Sequence, residues 1–108
     1  MSKFKTTSNK GFQMTFENGL TISVQWGTMN YCDRKNNDIN EFESELKTKN
    51  VESSNAEIAI WHQDSDTWFD FGTGFDQVKG WCSPNEVARW IQSTSVARDL
   101  EDLKNISE

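Results

Sequence analysis

Apolar residues alternate with polar ones on both sides of Asn18-Gly19, and this constrains the fold more than any other feature. Phe12, Met14 and Phe16 take every second position before the pair, with Gln13 and Thr15 between them. Leu20, Ile22, Val24 and Trp26 do the same after it, separated by Thr21, Ser23 and Gln25. Successive side chains of a strand point to opposite faces, so the segment reads as a β-hairpin with one apolar and one polar face. Asn and Gly tolerate the positive φ of a two-residue type I′ turn, and the spacing predicts one here. The apolar face needs a core beneath it. The polar face meets water or a partner.

The pattern recurs later in the chain. Ala56, Ile58 and Ile60 alternate with Glu57, Ala59 and Trp61. After the polar stretch Gln63 to Asp66, Thr67, Phe69 and Phe71 alternate with Trp68 and Asp70. A second hairpin is expected, with a short edge strand near Val78. In this arrangement Ile58, Ile60, Phe69 and Phe71 face the core, and Trp61 and Trp68 share the other face with Glu57 and Asp70. The short turn brings the two Trp residues into cross-strand reach.

Two helices are expected. Ile39, Phe42 and Leu46 fall on one helical face, with Asp38 and Glu41 placed as a capping box and Glu43–Lys47 and Glu45–Lys49 as i,i+4 pairs. Ser83-Pro84-Asn85-Glu86 is a second start signal, with Ser as N-cap, Pro at N1 and Glu closing the box. Val87, Trp90, Ile91 and Thr94 share one face of the helix that follows. Val96, Leu100 and Leu103 point elsewhere. Either the helix breaks near Ser93 to Ser95, or the tail carries a second apolar face suited to self-association as a homodimer or to partner docking.

The expected architecture is therefore α+β, in ββαββα order, an antiparallel sheet of two hairpins with helices packed on one face. Residues 1–10 read as a flexible lead, 11–95 as a single domain, and 96–108 as a helical tail. An aromatic-Cys-polar step follows each hairpin, Tyr31-Cys32-Asp33 and then Trp81-Cys82-Ser83, a faint internal echo.

Composition bounds the chemistry. The chain has 108 residues, a hydrophobic fraction of only 34% and a net charge of −6, but five Trp, seven Phe and one Tyr supply core area. The acidic balance disfavours direct nucleic-acid binding and suits a partner with a basic surface. No run approaches membrane-spanning length, and residues 1–10 lack the apolar stretch of a signal peptide. The two cysteines read as reduced thiols of a cytosolic protein, and sequence leaves their pairing open.

No constellation for catalysis stands out. His62 is the single histidine, at the end of the third strand, and no local signature joins it to Cys32 or Cys82 as a nucleophile pair. The zinc spacing is missing, and the acids at 64, 66, 70 and 76 lack the order of a calcium loop. Gly72-Thr73-Gly74 lacks the rest of a dinucleotide fingerprint. Paired carboxylates such as Glu57 and Asp70 would face each other across the second hairpin, a surface pair with no cleft to serve. No metal or cofactor is expected.

The segment from Gly11 to Gly19, followed by Thr21 to Gly27 and Asn30-Tyr31-Cys32, resembles a family of small tailed-bacteriophage proteins. Ala56 to Trp61, Val78 to Trp81 and Glu86-Val87 are similar to later blocks of that family, so the likeness spans about residues 11–91. The family brings no catalytic residues with it. The resemblance implies a non-catalytic protein of the host bacterial cytoplasm that binds and inhibits a host protein, such as a CRISPR-type defence nuclease (an anti-CRISPR role) or another nucleic-acid-handling factor. The binding residues expected are Trp61, Trp68, Glu57, Asp70 and Tyr31, with Val96, Leu100 and Leu103 for partner or self-association. Two alternatives stand beside it, capture of a small ligand such as a nucleotide by Trp61 and Trp68, and a virion accessory role.

Overall fold

The computed structural model describes residues 2–7, 10–27, 30–33, 52–65, 67–72 and 76–107. Five strands form one antiparallel sheet in sequential order: β1 (Lys3–Thr6), β2 (Gly11–Thr15), β3 (Leu20–Gln25), β4 (Ala56–His62) and β5 (Lys79–Cys82). Helices α1 (Pro84–Val96) and α2 (Leu100–Ser107) follow and pack on it. The observed order is βββββαα. The expected ββαββα order is corrected on this point, and the helix expected around residues 38–49 lies outside the described residues. The segment read as a flexible lead contains β1, paired from Lys3↔Thr15 to Thr6↔Phe12.

The hairpin at Asn18-Gly19 is present, but its turn is not type I′. Gly19 has φ +85°, and Asn18 is not left-handed. The Gly19 amide donates to the Phe16 carbonyl at 2.9 Å, and the Phe16 amide donates to Leu20 at 2.9 Å. That pattern is a three-residue loop, a type I turn closed by a left-handed glycine. The reason lies elsewhere in the fold. The Asn18 side chain donates to the carbonyls of Thr94 at 2.8 Å and Ala97 at 2.6 Å, while its oxygen accepts from the Leu20 amide at 3.0 Å. One side chain thus joins the first hairpin to the end of α1, where helix carbonyls lack intrahelical partners.

Register builds the core. Ile22 lies opposite Ile60 and Val24 opposite Ile58, and together with Leu20 these side chains are almost completely buried. Val87 and Thr94 of α1 are buried over them, with Trp90 and Ile91 at the margin, as the helical spacing predicts. Phe69, Phe71 and Trp90 close one side as three edge-to-face rings, with centroids 5.0 to 5.7 Å apart.

The α1 start is as expected. Ser83 Oγ accepts from the Glu86 amide at 3.2 Å, and Glu86 Oε1 accepts from the Ser83 amide at 3.1 Å. The break comes later than the hydroxyl run, at Ala97, whose backbone is extended at φ −68° and ψ 148°. Asp99 then caps α2, its carboxylate accepting from the Asp102 amide at 2.8 Å. The turn swings Leu103 into the core, where it is completely buried. Leu100 is partly buried, and Val96 stays 57% exposed. The expected self-association stripe is therefore not one open face.

The second hairpin is shorter than its alternation implies. Past the turn, His62 donates to Thr67 at 3.1 Å, Phe69 donates to Ile60 at 2.7 Å, and Trp61 bridges Trp68. Among the described residues no longer ladder follows. Because β3 fills one flank of β4 along its length, residues 67–69 and β5 share the other flank, one beyond the other.

Candidate functional site

With Ile58 and Ile60 inward, Glu57, Ala59 and Trp61 of β4 face outward, away from the helices. Each end of this strip carries an aromatic pair. At one end the Trp61 and Trp68 rings lie 4.8 Å apart at 31°. At the other, Tyr31 and Trp81 lie 5.7 Å apart at 46°. Trp68, Tyr31 and Trp81 are 39%, 46% and 52% exposed, which places three of the most exposed large side chains at these two spots.

The Tyr31–Trp81 end rests on irregular backbone. Ala56 pairs with Cys82 and Ile58 with Lys79, so two steps on β4 face three on β5. The extra residue is a β-bulge, a device that re-aims side chains. Trp81 sits in it at φ +52°, the one non-glycine residue with positive φ among the described residues. A bulky L-residue there clashes with its own carbonyl, and the left-handed conformation costs about 1–2 kcal/mol. The next residue, Cys82, is buried, while the Trp81 ring is held out against Tyr31. The Trp81 amide donates to the Tyr31 carbonyl at 2.9 Å. Gly80 permits that approach, since a Cβ there would lie 2.6 Å from Tyr31 Cβ.

Glu57 holds the same loop. Its carboxylate accepts from the Tyr31 amide at 2.9 Å and from Asn30 Nδ2 at 3.2 Å, so it positions Tyr31. Asp70 accepts from the Gly72 amide at 2.8 Å and shapes its own turn. The Trp61–Trp68 register, continued, would set Gly72 and not Asp70 opposite Glu57, so the expected carboxylate pair does not form. Farther out, the Ser54 hydroxyl and then the Asn55 side chain hold the Asp33 carboxyl below its usual range. Both thiols are free and buried, and burial raises the pKa of Cys82. His62 Nδ1 accepts from the Asp64 amide at 3.1 Å, and its ring packs against Gly19.

The structure thus brings Trp61 to Trp68 and Tyr31 to Glu57, and leaves Asp70, Val96, Leu100 and Leu103 apart from them. The residue missed in the sequence is Trp81. Its signal was the repeated aromatic-Cys step, whose two copies lie side by side with thiols inward and rings outward. On the helix side, an apolar concavity of about 440 Å³ lies among Phe12, Val24, Trp26, Val87 and Ile91, with Ser53 on its rim. Among the described residues no three potential metal ligands cluster, and no helix is long and apolar enough to cross a membrane. Comparisons with family models, curated proteins and solved structures find no match to this chain.

Proposed function

We propose that this is a non-catalytic binding protein whose outer sheet face docks a protein partner through Trp81 and Trp68. The observation that carries the reading is the backbone at Trp81. A chain that holds a tryptophan in a left-handed bulge, half exposed, accepts a folding cost that a glycine would avoid. Strain of this kind collects at functional positions. Tryptophan is also the commonest energetic anchor of protein interfaces, because it buries much area for few frozen torsions.

The partner's chemistry follows from charge. A net charge of −6 favours encounter with a basic surface and makes binding weaken with salt. Taken with the resemblance to small tailed-phage proteins, this points to a host protein that handles nucleic acid, with CRISPR-type nucleases among the class. Inhibition would follow from occupying the basic groove.

The test is a pull-down from bacterial lysate with the tagged wild type and the W68A/W81A variant, at low and high salt. Retention of one host protein by the wild type, lost both in the variant and at high salt, is the expected result. Equal retention by wild type and a folded variant would refute docking through these rings.

A further inference from the structure

We infer that the Trp61 end of the outer face, where the docking anchor Trp68 flanks Trp61, is also a binding trough for a nucleoside monophosphate, an inference that does not rest on the docking reading. The argument starts from a row across the sheet. Lys3 lies opposite Thr15, Thr15 opposite Thr21, Thr21 opposite Trp61, and Trp61 bridges Trp68. Beside it run Lys5, Gln13, Ser23 and Ala59. The floor is small and polar, with Thr15, Thr21 and Ser23 at 4–5% exposure and the two threonine hydroxyls 2.8 Å apart. Larger side chains stand around it. The result is a depression of about 210 Å³ walled by Lys3, Lys5 and Gln13 on one side and by Trp61 and Gln63 on the other.

These walls select a ligand. Trp61 has Trp68 on one flank and lines the trough on the other, so it offers an indole for stacking a planar ring. Lys3 and Lys5 rise from the same face of β1, two residues and about 7 Å apart along the strand. Both are exposed, and neither pairs with a carboxylate among the described residues. Glu17, in the adjoining turn, accepts a hydrogen bond from the Ser2 hydroxyl at 2.5 Å. Asp64 lies beyond the turn that carries Gln63. Lys3 and Trp61 stand three strand spacings apart, about 14 Å between backbones. A base on Trp61 and a phosphate between the lysines span that gap with a sugar over the threonines. The trough holds the ring and one anionic group, and leaves the rest of the ligand in solvent.

The net charge of −6 does not oppose a single phosphate, because charges beyond about 10 Å are screened at ordinary salt. It does oppose a polyanion, which separates a free nucleotide from a strand of nucleic acid.

The experiment is an NMR titration of the indole N–H signals with AMP, adenosine, inorganic phosphate and a short single-stranded oligonucleotide. AMP shifts the Trp61 signal and leaves that of Trp90, packed on the helix side, in place. Adenosine and phosphate each bind at least about tenfold more weakly than AMP. The oligonucleotide binds no tighter than AMP. The K3Q/K5Q variant, altered only at exposed positions, weakens AMP about tenfold or more with an unchanged melting curve. W61L weakens it comparably, and K3Q/K5Q decides alone if W61L does not fold. No Trp61 shift at millimolar AMP, equal affinity for adenosine, or tighter oligonucleotide binding would each overturn the assignment.

Discussion

Replacing Trp81 by glycine and, separately, by alanine isolates the strain on which the docking reading rests. Both substitutions remove the ring and its contact with Tyr31, a pair of the kind worth about 0.5–1.5 kcal/mol beyond burial. They differ in backbone. At φ +52° alanine retains the left-handed penalty of about 1–2 kcal/mol, and glycine does not. Glycine in turn loses more chain entropy on folding, about 0.5–1 kcal/mol. The balance leaves W81G more stable than W81A by up to about 1.5 kcal/mol, centred on about 0.75, or roughly 3–6 °C in melting temperature at that centre for a domain of this size. Urea denaturation followed by far-UV circular dichroism measures the difference without relying on tryptophan emission. W81G should still be less stable than the wild type, by about 0.5–2 kcal/mol, since relief of strain only partly offsets the lost ring contact, the ring's partial burial and the glycine's chain entropy. If W81A proved more stable than W81G by the roughly 0.5–1 kcal/mol of glycine's extra chain entropy, the bulge would hold no strain, and the inference from Trp81 to function would fall.

Asn18→Ala removes the donor to Thr94 and Ala97 and should cost about 1–3 kcal/mol in a denaturant titration; a neutral result would show that water replaces this link freely. Leu103→Ala should cost about 2–5 kcal/mol because it opens a cavity in the core. Val96→Ala, at an exposed position, should stay within about 0.5 kcal/mol, and reversal of that order would return the tail stripe to the surface. The Ser83 backbone amide holds the Glu86 carboxyl below its usual value. A carboxyl with a depressed folded pKa contributes stability above its unfolded pKa and loses it as pH falls through the folded one. Acidification from about pH 5 to about pH 3 should therefore erode the stability of the wild type more than that of E86Q, read from parallel melting curves. Equal erosion would mean that the cap does not depend on the charge.

What the sequence determined by itself was local. Period-2 alternation set the inward residues of β3 and β4, because a strand has two faces and a single-residue slip would turn every apolar side chain outward. Ser83-Pro84-Asn85-Glu86 set the start of α1 through bonds that close within four residues. The Trp61–Trp68 contact was legible for the same reason, since a short turn dictates which residues meet across it. Tertiary structure decided the rest, and in each instance the deciding partner is distant in the chain. Lys3 to Thr6 carries one exposed apolar residue and becomes a strand because β2 offers an edge. Asn18 takes a three-residue loop, not the two-residue one, because the carbonyls that complete its hydrogen bonds belong to residues 94 and 97. Leu103 is buried because the helix breaks at Ala97; the phase slip of the tail allowed a break but did not choose between that and a second exposed face. Trp81 turns outward in a bulge set by its pairing with β4, where Gly80 lets Tyr31 pass close by. Local bonding can be read from neighbours in sequence, but which face, loop or ring meets which requires the chain to have closed on itself.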